Sequence, residues 1–261
     1  MTIDVFCLRG TGEAFSPVPS GMIGGLARLL DPRFNCLSVP YPATIGPVGG
    51  GPLGPSLNTA VRQAADNLAA AIRRTPNKAG VITYSLGGLG ANLLLEEMAA
   101  GQHRELEIAF VLNIANPGRR AGESIGGVAN GYGLHGQRGL GPTSTPVFEL
   151  ANPRDMITSA AADSPVRRIS DAISPFSFIE GKRLGSAYLY GQLSKMENRE
   201  QYWQFWNPRF RERYREAFDD VAGYCLPYPW GFHVSYASQF LPGTGVPYLQ
   251  AAADLLNRTD W

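Results

Sequence analysis

The sequence places a serine where a serine can act as a nucleophile. It lies in the stretch ITYSLGGLG (residues 82–90), after an apolar run at 80–84 and before an Ala- and Leu-rich run at 89–100. A strand, a sharp turn and a helix in this order form the nucleophile elbow of the G-x-S-x-G motif. Here Thr83 replaces the first glycine, and threonine is still small enough for the turn. A plain turn that contains Ser85 is the alternative unless the chain also supplies a base, an acid and an oxyanion hole.

The base that activates a serine hydroxyl is usually histidine, because its pKa lies near neutrality. The chain has three histidines. His103 follows the predicted helix after Ser85 and should lie at the far edge of the sheet, and His135 lies in a glycine-rich segment where a surface role is expected. His233 lies in WGFHVSY (230–236), before the last predicted helix. In α/β-hydrolases the order along the chain is Ser, Asp or Glu, then His, so the order favours His233.

The acid partner must hold the imidazole in the correct tautomer, and it should follow a strand at the same edge as the serine. Asp155 comes directly after a predicted strand at 145–151, and Asp163 is the second candidate, eight residues further on. Carboxylates also favour helix starts, so a capping role is the alternative for Asp155.

An oxyanion hole needs two backbone N–H groups that point at the developing negative charge. The first would come from Leu86, the residue after the nucleophile, and the second from the loop after another strand. The loop RGTGE (9–13) suits this role because its glycines let the backbone approach closely, and Thr11 is the residue we select. The alternative for this loop is a simple tight turn. Chemistry of this kind requires no metal ion and no organic cofactor.

The elements that must position these residues alternate between strand and helix. Apolar patterning predicts strands at 3–8, 34–39, 80–84, 108–115 and 145–151, and helices at 21–30, 57–72, 89–100 and 246–258. This alternation predicts a parallel sheet covered by helices on both faces, with ligands bound beyond the carboxyl ends of the strands. The segment 118–144 is glycine-rich and is expected to form a surface excursion.

The pattern changes after about residue 163, where we predict a helical insertion or lid over 165–231. Seven aromatic side chains crowd it: Tyr202, Trp203, Phe205, Trp206, Phe210, Tyr214 and Phe218. They either pack the insertion onto the core or line a groove for an acyl chain beside the serine. The sequence does not decide between these two interpretations.

Composition excludes several classes of protein. The 261 residues are 44% hydrophobic with a net charge of +1, which gives no electrostatic reason to expect nucleic acid. The N-terminus lacks the pattern of a signal peptide and no apolar run is long enough for a transmembrane segment, so we expect synthesis in the cytoplasm. Three cysteines without regular spacing argue against a disulfide framework or a zinc site, although one pair stays open.

Several segments resemble known enzymes. VFCLRGTGE (5–13) resembles the first strand and oxyanion loop of cutinase-like esterases, and VPYPATIGP (39–47), YSLG (84–87) and HVSY (233–236) resemble the lysin B proteins of mycobacteriophages. The resemblance covers most of the chain and is weakest over 165–231. It implies a single cutinase-like α/β-hydrolase domain over 1–261, a three-layer sandwich with a helical linker or lid insertion at about 165–231. It also implies a triad of Ser85, Asp155 and His233.

The resemblance implies a serine esterase that cuts the ester joining mycolic acids to arabinogalactan. Such an enzyme would be made in the host cytoplasm and act on the host envelope at phage-induced lysis. Three alternatives stay open: a general lipid esterase or cutinase, a mycolyl acyltransferase with the same triad, and a non-catalytic envelope- or virion-binding protein on a hydrolase fold.

Overall fold

The computed structural model describes residues 1–46, 48–49, 53–167, 208–225 and 231–261. Its strands are β1 (Ile3–Leu8), β2 (Phe34–Ser38), β3 (Lys78–Tyr84), β4 (Phe110–Ile114) and β5 (Val147–Leu150). They form one sheet in the order β2-β1-β3-β4-β5, and each neighbouring pair is parallel. The carboxyl ends of the strands therefore meet at one edge of the sheet.

The sheet is buried on both faces. Along β1, Val5 and Cys7 enter one core cluster, whereas Phe6 and Leu8 enter the other. Successive strand residues point to opposite faces, so a strand that is almost wholly apolar needs a cover on each side. This requirement explains why every residue of β1 is buried.

Helices supply the two covers. They are α1 (Gly21–Ala27), α2 (Leu57–Ile72), α3 (Leu86–Ala99), α4 (Met156–Ser159), α5 (Pro208–Cys225) and α6 (Tyr248–Arg258). α1 and α6 pack in the core cluster that holds Val5, and α2 and α3 pack in the cluster that holds Phe6. The result is a three-layer α/β sandwich around a parallel sheet, which confirms the predicted fold class. Within the described ranges, no helix is both long and apolar enough to cross a membrane.

Some elements do not end where the apolar pattern predicts. The helix predicted over 21–30 ends at Ala27, and the amide of Leu29 then bonds only three residues back, to the Leu26 carbonyl oxygen. Ala115 was expected in β4 but has a φ of 55°, outside the extended region. In the other direction, α3 starts directly after Ser85 instead of at residue 89.

The glycine-rich segment 118–144 is more than the surface excursion that its composition predicts. Arg119 within it is fully buried, and burial lowers the pKa of its guanidinium. The guanidinium donates hydrogen bonds to the backbone carbonyl oxygens of Arg120, Glu123, Asn130, Gly131 and Thr158. The segment thus folds around a buried cation and is fastened to helix α4 through the carbonyl oxygen of Thr158.

Most of the predicted insertion at 165–231 lies outside the described residues, and so do Tyr202, Trp203, Phe205 and Trp206. The part that is described contains helix α5, which begins at Pro208, a residue that the first turn of a helix tolerates well. The side chains of Phe210, Tyr214 and Phe218 also lie outside the description. Whether the aromatic residues line an acyl groove stays a prediction.

Candidate active site

Ser85 lies in a sharp turn between β3 and α3, at the carboxyl edge of the sheet. Its φ of 52° and ψ of −120° fall outside the regions that ordinary residues prefer. Two glycines make room for this turn. A Cβ atom added at Gly87 would lie 2.2 Å from the carbonyl oxygen of Leu8, and one added at Gly10 would lie 2.6 Å from the Tyr84 ring. The turn is therefore packed tightly against the end of β1, as an elbow requires.

Thr83, in the place of the usual glycine, is fully buried and has a partner for its hydroxyl. The hydroxyl donates to Asn113 Oδ1 at 2.7 Å, and the Asn113 amide donates to Glu149 Oε1 at 2.9 Å. Burial raises the pKa of Glu149 to about 7. A buried polar chain therefore runs from the strand before the elbow across β4 to β5, and it accommodates the threonine because the hydroxyl is hydrogen-bonded.

Ser85, His233 and Asp155 form one hydrogen-bonded row. The distance from Ser85 Oγ to His233 Nε2 is 2.9 Å, and that from His233 Nδ1 to Asp155 Oδ2 is also 2.9 Å. All three residues are buried. Asp155 in addition caps α4, because its Oδ1 accepts the Ile157 N–H at 3.1 Å. The cap of α4 and the hydrogen bond to His233 thus use different oxygens of the same carboxylate.

The other candidates lie elsewhere. His103 contacts Glu97 and Arg73 beyond the C-terminal end of α3. His135 is exposed, at the wall of the cavity described below. The Asp163 side chain is 65% exposed and pairs with Arg213 at 3.4 Å. Only one of the three histidines and one of the two carboxylates considered therefore reach Ser85 or its partner.

Two tyrosines that the sequence reasoning did not select support this row. The Tyr84 ring stacks on the His233 imidazole with centroids 5.3 Å apart, and its hydroxyl donates to the His233 carbonyl oxygen at 3.0 Å. The Tyr236 hydroxyl donates to Asp155 Oδ2 at 2.8 Å. The only signal in the sequence was position, since Tyr84 precedes the serine and Tyr236 follows the histidine by three residues.

The loop that holds Thr11 is fixed by several hydrogen bonds. The Gly10 N–H donates to Glu13 Oε2 at 2.7 Å, and the Gly12 N–H donates to the Ala43 carbonyl oxygen at 2.9 Å. Arg9 donates to the carbonyl oxygens of Glu13 and Tyr41. A fixed backbone is what a preorganised donor needs, because it does not reorganise during the reaction.

Ser85, His233, Thr11 and Leu86 share the wall of one cavity of about 730 Å³. Apolar side chains make up much of the rest of the wall, among them Met22, Ile45, Val48, Leu57, Leu89 and Ile157. A concave, mostly apolar site with a few polar groups is typical of small-molecule binding. The arrangement places a serine hydroxyl, hydrogen-bonded to a histidine, beside space for an apolar ligand.

A buried Ser-His-Asp row at the carboxyl edge of a parallel sheet is the arrangement of the α/β-hydrolase class. The chain shares the fold of lysin B from mycobacteriophage D29, with a TM-score of 0.59 and 20% identity over 97% of this chain and 98% of that one. At such low identity the similarity establishes the fold alone.

Two weaker structural similarities were also found. The catalytic core domain of acetyl xylan esterase from Trichoderma reesei has a TM-score of 0.44 and 16% identity over 73% of this chain and 98% of that one. A cutinase-like protein from Cryptococcus sp. has a TM-score of 0.44 and 13% identity over 85% of this chain and 94% of that one. No protein-family model and no curated protein matches the sequence.

Proposed function

We propose that the protein is a serine esterase, a carboxylic ester hydrolase with the triad Ser85, His233 and Asp155. The observation that carries this proposal is the row of two 2.9 Å hydrogen bonds from Ser85 Oγ through His233 to Asp155 Oδ2 at the wall of an apolar cavity. Serine is a poor nucleophile unless an adjacent base removes its proton, and the 2.9 Å distance from His233 Nε2 to Ser85 Oγ supports His233 as that base.

In the proposed reaction His233 Nε2 takes the Ser85 proton while Oγ attacks the ester carbonyl carbon. Asp155 accepts the Nδ1–H of His233 and stabilises the imidazolium that forms. The N–H groups of Leu86 and Thr11 hold the negative oxygen of the tetrahedral intermediate. His233 then protonates the leaving alcohol. In the second half of the reaction His233 takes a proton from water, which attacks the acyl carbon, and then returns that proton to Ser85 Oγ as the free acid is released.

We propose a long-chain lipid ester as the substrate class, and the ester between mycolic acids and arabinogalactan as the particular bond. The apolar cavity supports the class, and the fold shared with lysin B over almost the whole of both chains supports the particular bond. The protein would then act on the host envelope at lysis, as a single α/β-hydrolase unit over 1–261 with its insertion at about 165–231.

The first experiment is labelling with a fluorophosphonate probe, which reacts with activated serines. Wild-type protein should be labelled at Ser85, and the matched variant Ser85→Ala should not be labelled. An unchanged unfolding temperature of the variant shows that it is folded. Wild-type protein that stays unlabelled would indicate a non-catalytic binding protein on this fold.

The second experiment tests the particular substrate. Wild-type protein and Ser85→Ala are incubated with isolated mycolyl-arabinogalactan, and the lipids are extracted and separated by chromatography. Free mycolic acid released by wild type alone supports the proposal. Mycolate found on an added sugar would indicate an acyltransferase, and cleavage of simple lipid esters alone would indicate a general lipid esterase.

A further inference from the structure

The carboxylate of Asp155 accepts more hydrogen bonds than the triad needs. Its Oδ1 accepts the Ile157 N–H at 3.1 Å, and its Oδ2 accepts both His233 Nδ1–H at 2.9 Å and the Tyr236 hydroxyl at 2.8 Å. Tyr236 and His233 therefore share one carboxylate oxygen. Since that oxygen faces the imidazole, any change in its charge also changes how strongly it stabilises the protonated imidazole.

The direction of the Tyr236 hydrogen bond follows from its neighbours. The Asn152 N–H donates to the tyrosine oxygen at 3.0 Å, so the single hydroxyl proton is left for Asp155 Oδ2. The Tyr236 side chain is only 1% exposed, and its ring packs against the Tyr248 ring with centroids 5.2 Å apart. This packing fixes the position of the Tyr236 hydroxyl. Burial raises the pKa of Tyr236 well above its usual value, so the donor stays protonated.

We propose that Tyr236 is a positioning residue that extends the activity of the triad to lower pH; this inference rests on the proposed function. Donation to Oδ2 favours the ionised form of Asp155. It also withdraws charge from the oxygen that stabilises the His233 imidazolium, so the imidazole gives up its proton more readily. Both effects keep the neutral base and the ionised acid together at lower pH than a triad without the tyrosine.

Other ionisable groups face the same cluster. Tyr84 and Tyr224 contact the His233 ring, and Tyr248 packs on Tyr236. Asp220 of α5 interacts electrostatically with Asp155, and Arg119 interacts electrostatically with Tyr236. Burial, and next to it the neighbouring carboxylate of Glu216, raises the pKa of Asp220 above its usual value. A comparison of variants at Tyr236 leaves all of these groups in place.

The experiment is an NMR titration of the His233 imidazole in wild type, Tyr236→Phe and Tyr248→Phe, with the signal assigned through His233→Gln. Tyr248→Phe is the matched control, because Tyr248 is equally buried and the structure shows no bond from its hydroxyl to Asp155 among the described residues. In Tyr236→Phe the His233 pKa should rise by roughly one unit, because a hydrogen bond to a charged group is lost. Tyr248→Phe should titrate like wild type.

Three further measurements make the result decisive. The acid limb of kcat/KM for a soluble ester should move up with the titration in Tyr236→Phe, while kcat at high pH falls less than tenfold. The shift caused by Tyr236→Phe should vanish in an Asp155→Asn background. 3-Fluorotyrosine placed at position 236, a stronger donor that keeps the ring, should shift the His233 pKa downward even if the phenylalanine variant folds poorly.

The possible outcomes separate this inference from the proposed function. An unmoved His233 pKa in Tyr236→Phe, or equal shifts in Tyr236→Phe and Tyr248→Phe, would overturn the inference while esterase activity stands. The expected shifts in a protein that hydrolyses no ester would support the link between the tyrosine and the imidazole, and the esterase would be lost.

Discussion

At the scale of single residues, Asp155 joins a structural role, the cap of α4, to the acid role proposed for it. One oxygen caps α4 and the other faces His233, so the fold that fixes the cap also fixes the proposed acid. Sequence position alone left Asp155 and Asp163 as candidates, because both lie in the stretch that follows β5, Asp155 close to its end and Asp163 eight residues further on. The choice depends on which carboxylate turns inward, and that is a property of the packed loop.

Asp155→Asn should lower kcat by about 10⁴-fold, because the amide favours the wrong imidazole tautomer. Asp163→Asn is the matched control and should keep near-normal activity, since its side chain is exposed and pairs with Arg213. Steady-state kinetics on a chromogenic fatty-acid ester measure both. A large loss at Asp163 with normal activity at Asp155 would move the acid to Asp163.

Glu13 holds the proposed oxyanion loop through the Gly10 N–H. Glu13→Ala should lower kcat by about tenfold to a hundredfold with little change in KM, because loss of a full oxyanion donor costs roughly 10² to 10³. Glu13→Gln keeps an acceptor for Gly10 and should retain most activity. Equal losses in the two variants would show that the charge of Glu13, and not its hydrogen bond, matters.

At the scale of elements, the elbow depends on contact between the start of α3 and the end of β1. Gly87→Ala should destabilise the protein by about 2–3 kcal/mol, because the new Cβ would meet the Leu8 carbonyl oxygen at 2.2 Å. Labelling of Ser85 by the fluorophosphonate should fall with it. Gly141→Ala is the control, because a Cβ atom added there would lie 3.3 Å from its nearest neighbour, a side-chain atom of Leu95, and so would meet far less crowding than the one at Gly87. Urea unfolding of both variants tests this, and equal stabilities would contradict the packed elbow.

The strands were the easiest elements to predict and the loops the hardest. A strand such as β1, apolar toward both faces, has few alternatives to the centre of a parallel sheet. The exact end of a strand depends on single dihedral angles, such as the positive φ of Ala115 directly after β4, which apolar patterning does not encode. Arg119 could not be predicted as buried, because its partners are carbonyl oxygens that every sequence contains.

At the scale of the whole molecule, the buried carboxyl of Glu149 affects the pH dependence of stability. Burial raises its pKa to about 7, above the value of an unfolded chain, so between about pH 4.5 and 7 the folded state binds the extra proton. Stability therefore falls as the pH rises through this window. Asn113, Asn116 and the Arg138 guanidinium contact Oε1 and favour the ionised form, but burial outweighs them, and Oε2 has no hydrogen-bond partner within the described residues.

Glu149→Gln mimics the protonated acid and should remove this contribution. The free energy of unfolding of wild type relative to the variant should fall by up to about 3 kcal/mol between pH 4.5 and 8, since one pKa unit corresponds to about 1.4 kcal/mol. Urea unfolding at a series of pH values measures the difference. A constant difference across this range would mean that Glu149 is ionised in the folded protein.

The cavity as a whole predicts a preference for long acyl chains. Each buried methylene contributes about 0.8 kcal/mol, so kcat/KM should rise by up to about fourfold per methylene until the chain fills the cavity. Nitrophenyl esters from acetate to long-chain acids provide the series, with Ser85→Ala as the blank. A flat or falling series would remove the support for a lipid substrate.

The way Arg119 is bound has a consequence for how new specificities arise. Its guanidinium donates to backbone oxygens of Asn130 and Gly131 within the segment 118–144, and the Leu134 N–H likewise bonds to the Ile157 carbonyl oxygen in α4. Hydrogen bonds to main-chain atoms do not depend on which side chains those residues carry. Substitutions at His135, and apolar substitutions at Leu134, which also packs against Ala160, Val166 and Ala217, therefore leave this main-chain anchor in place. A library confined to these two positions should yield folded proteins that differ in substrate preference.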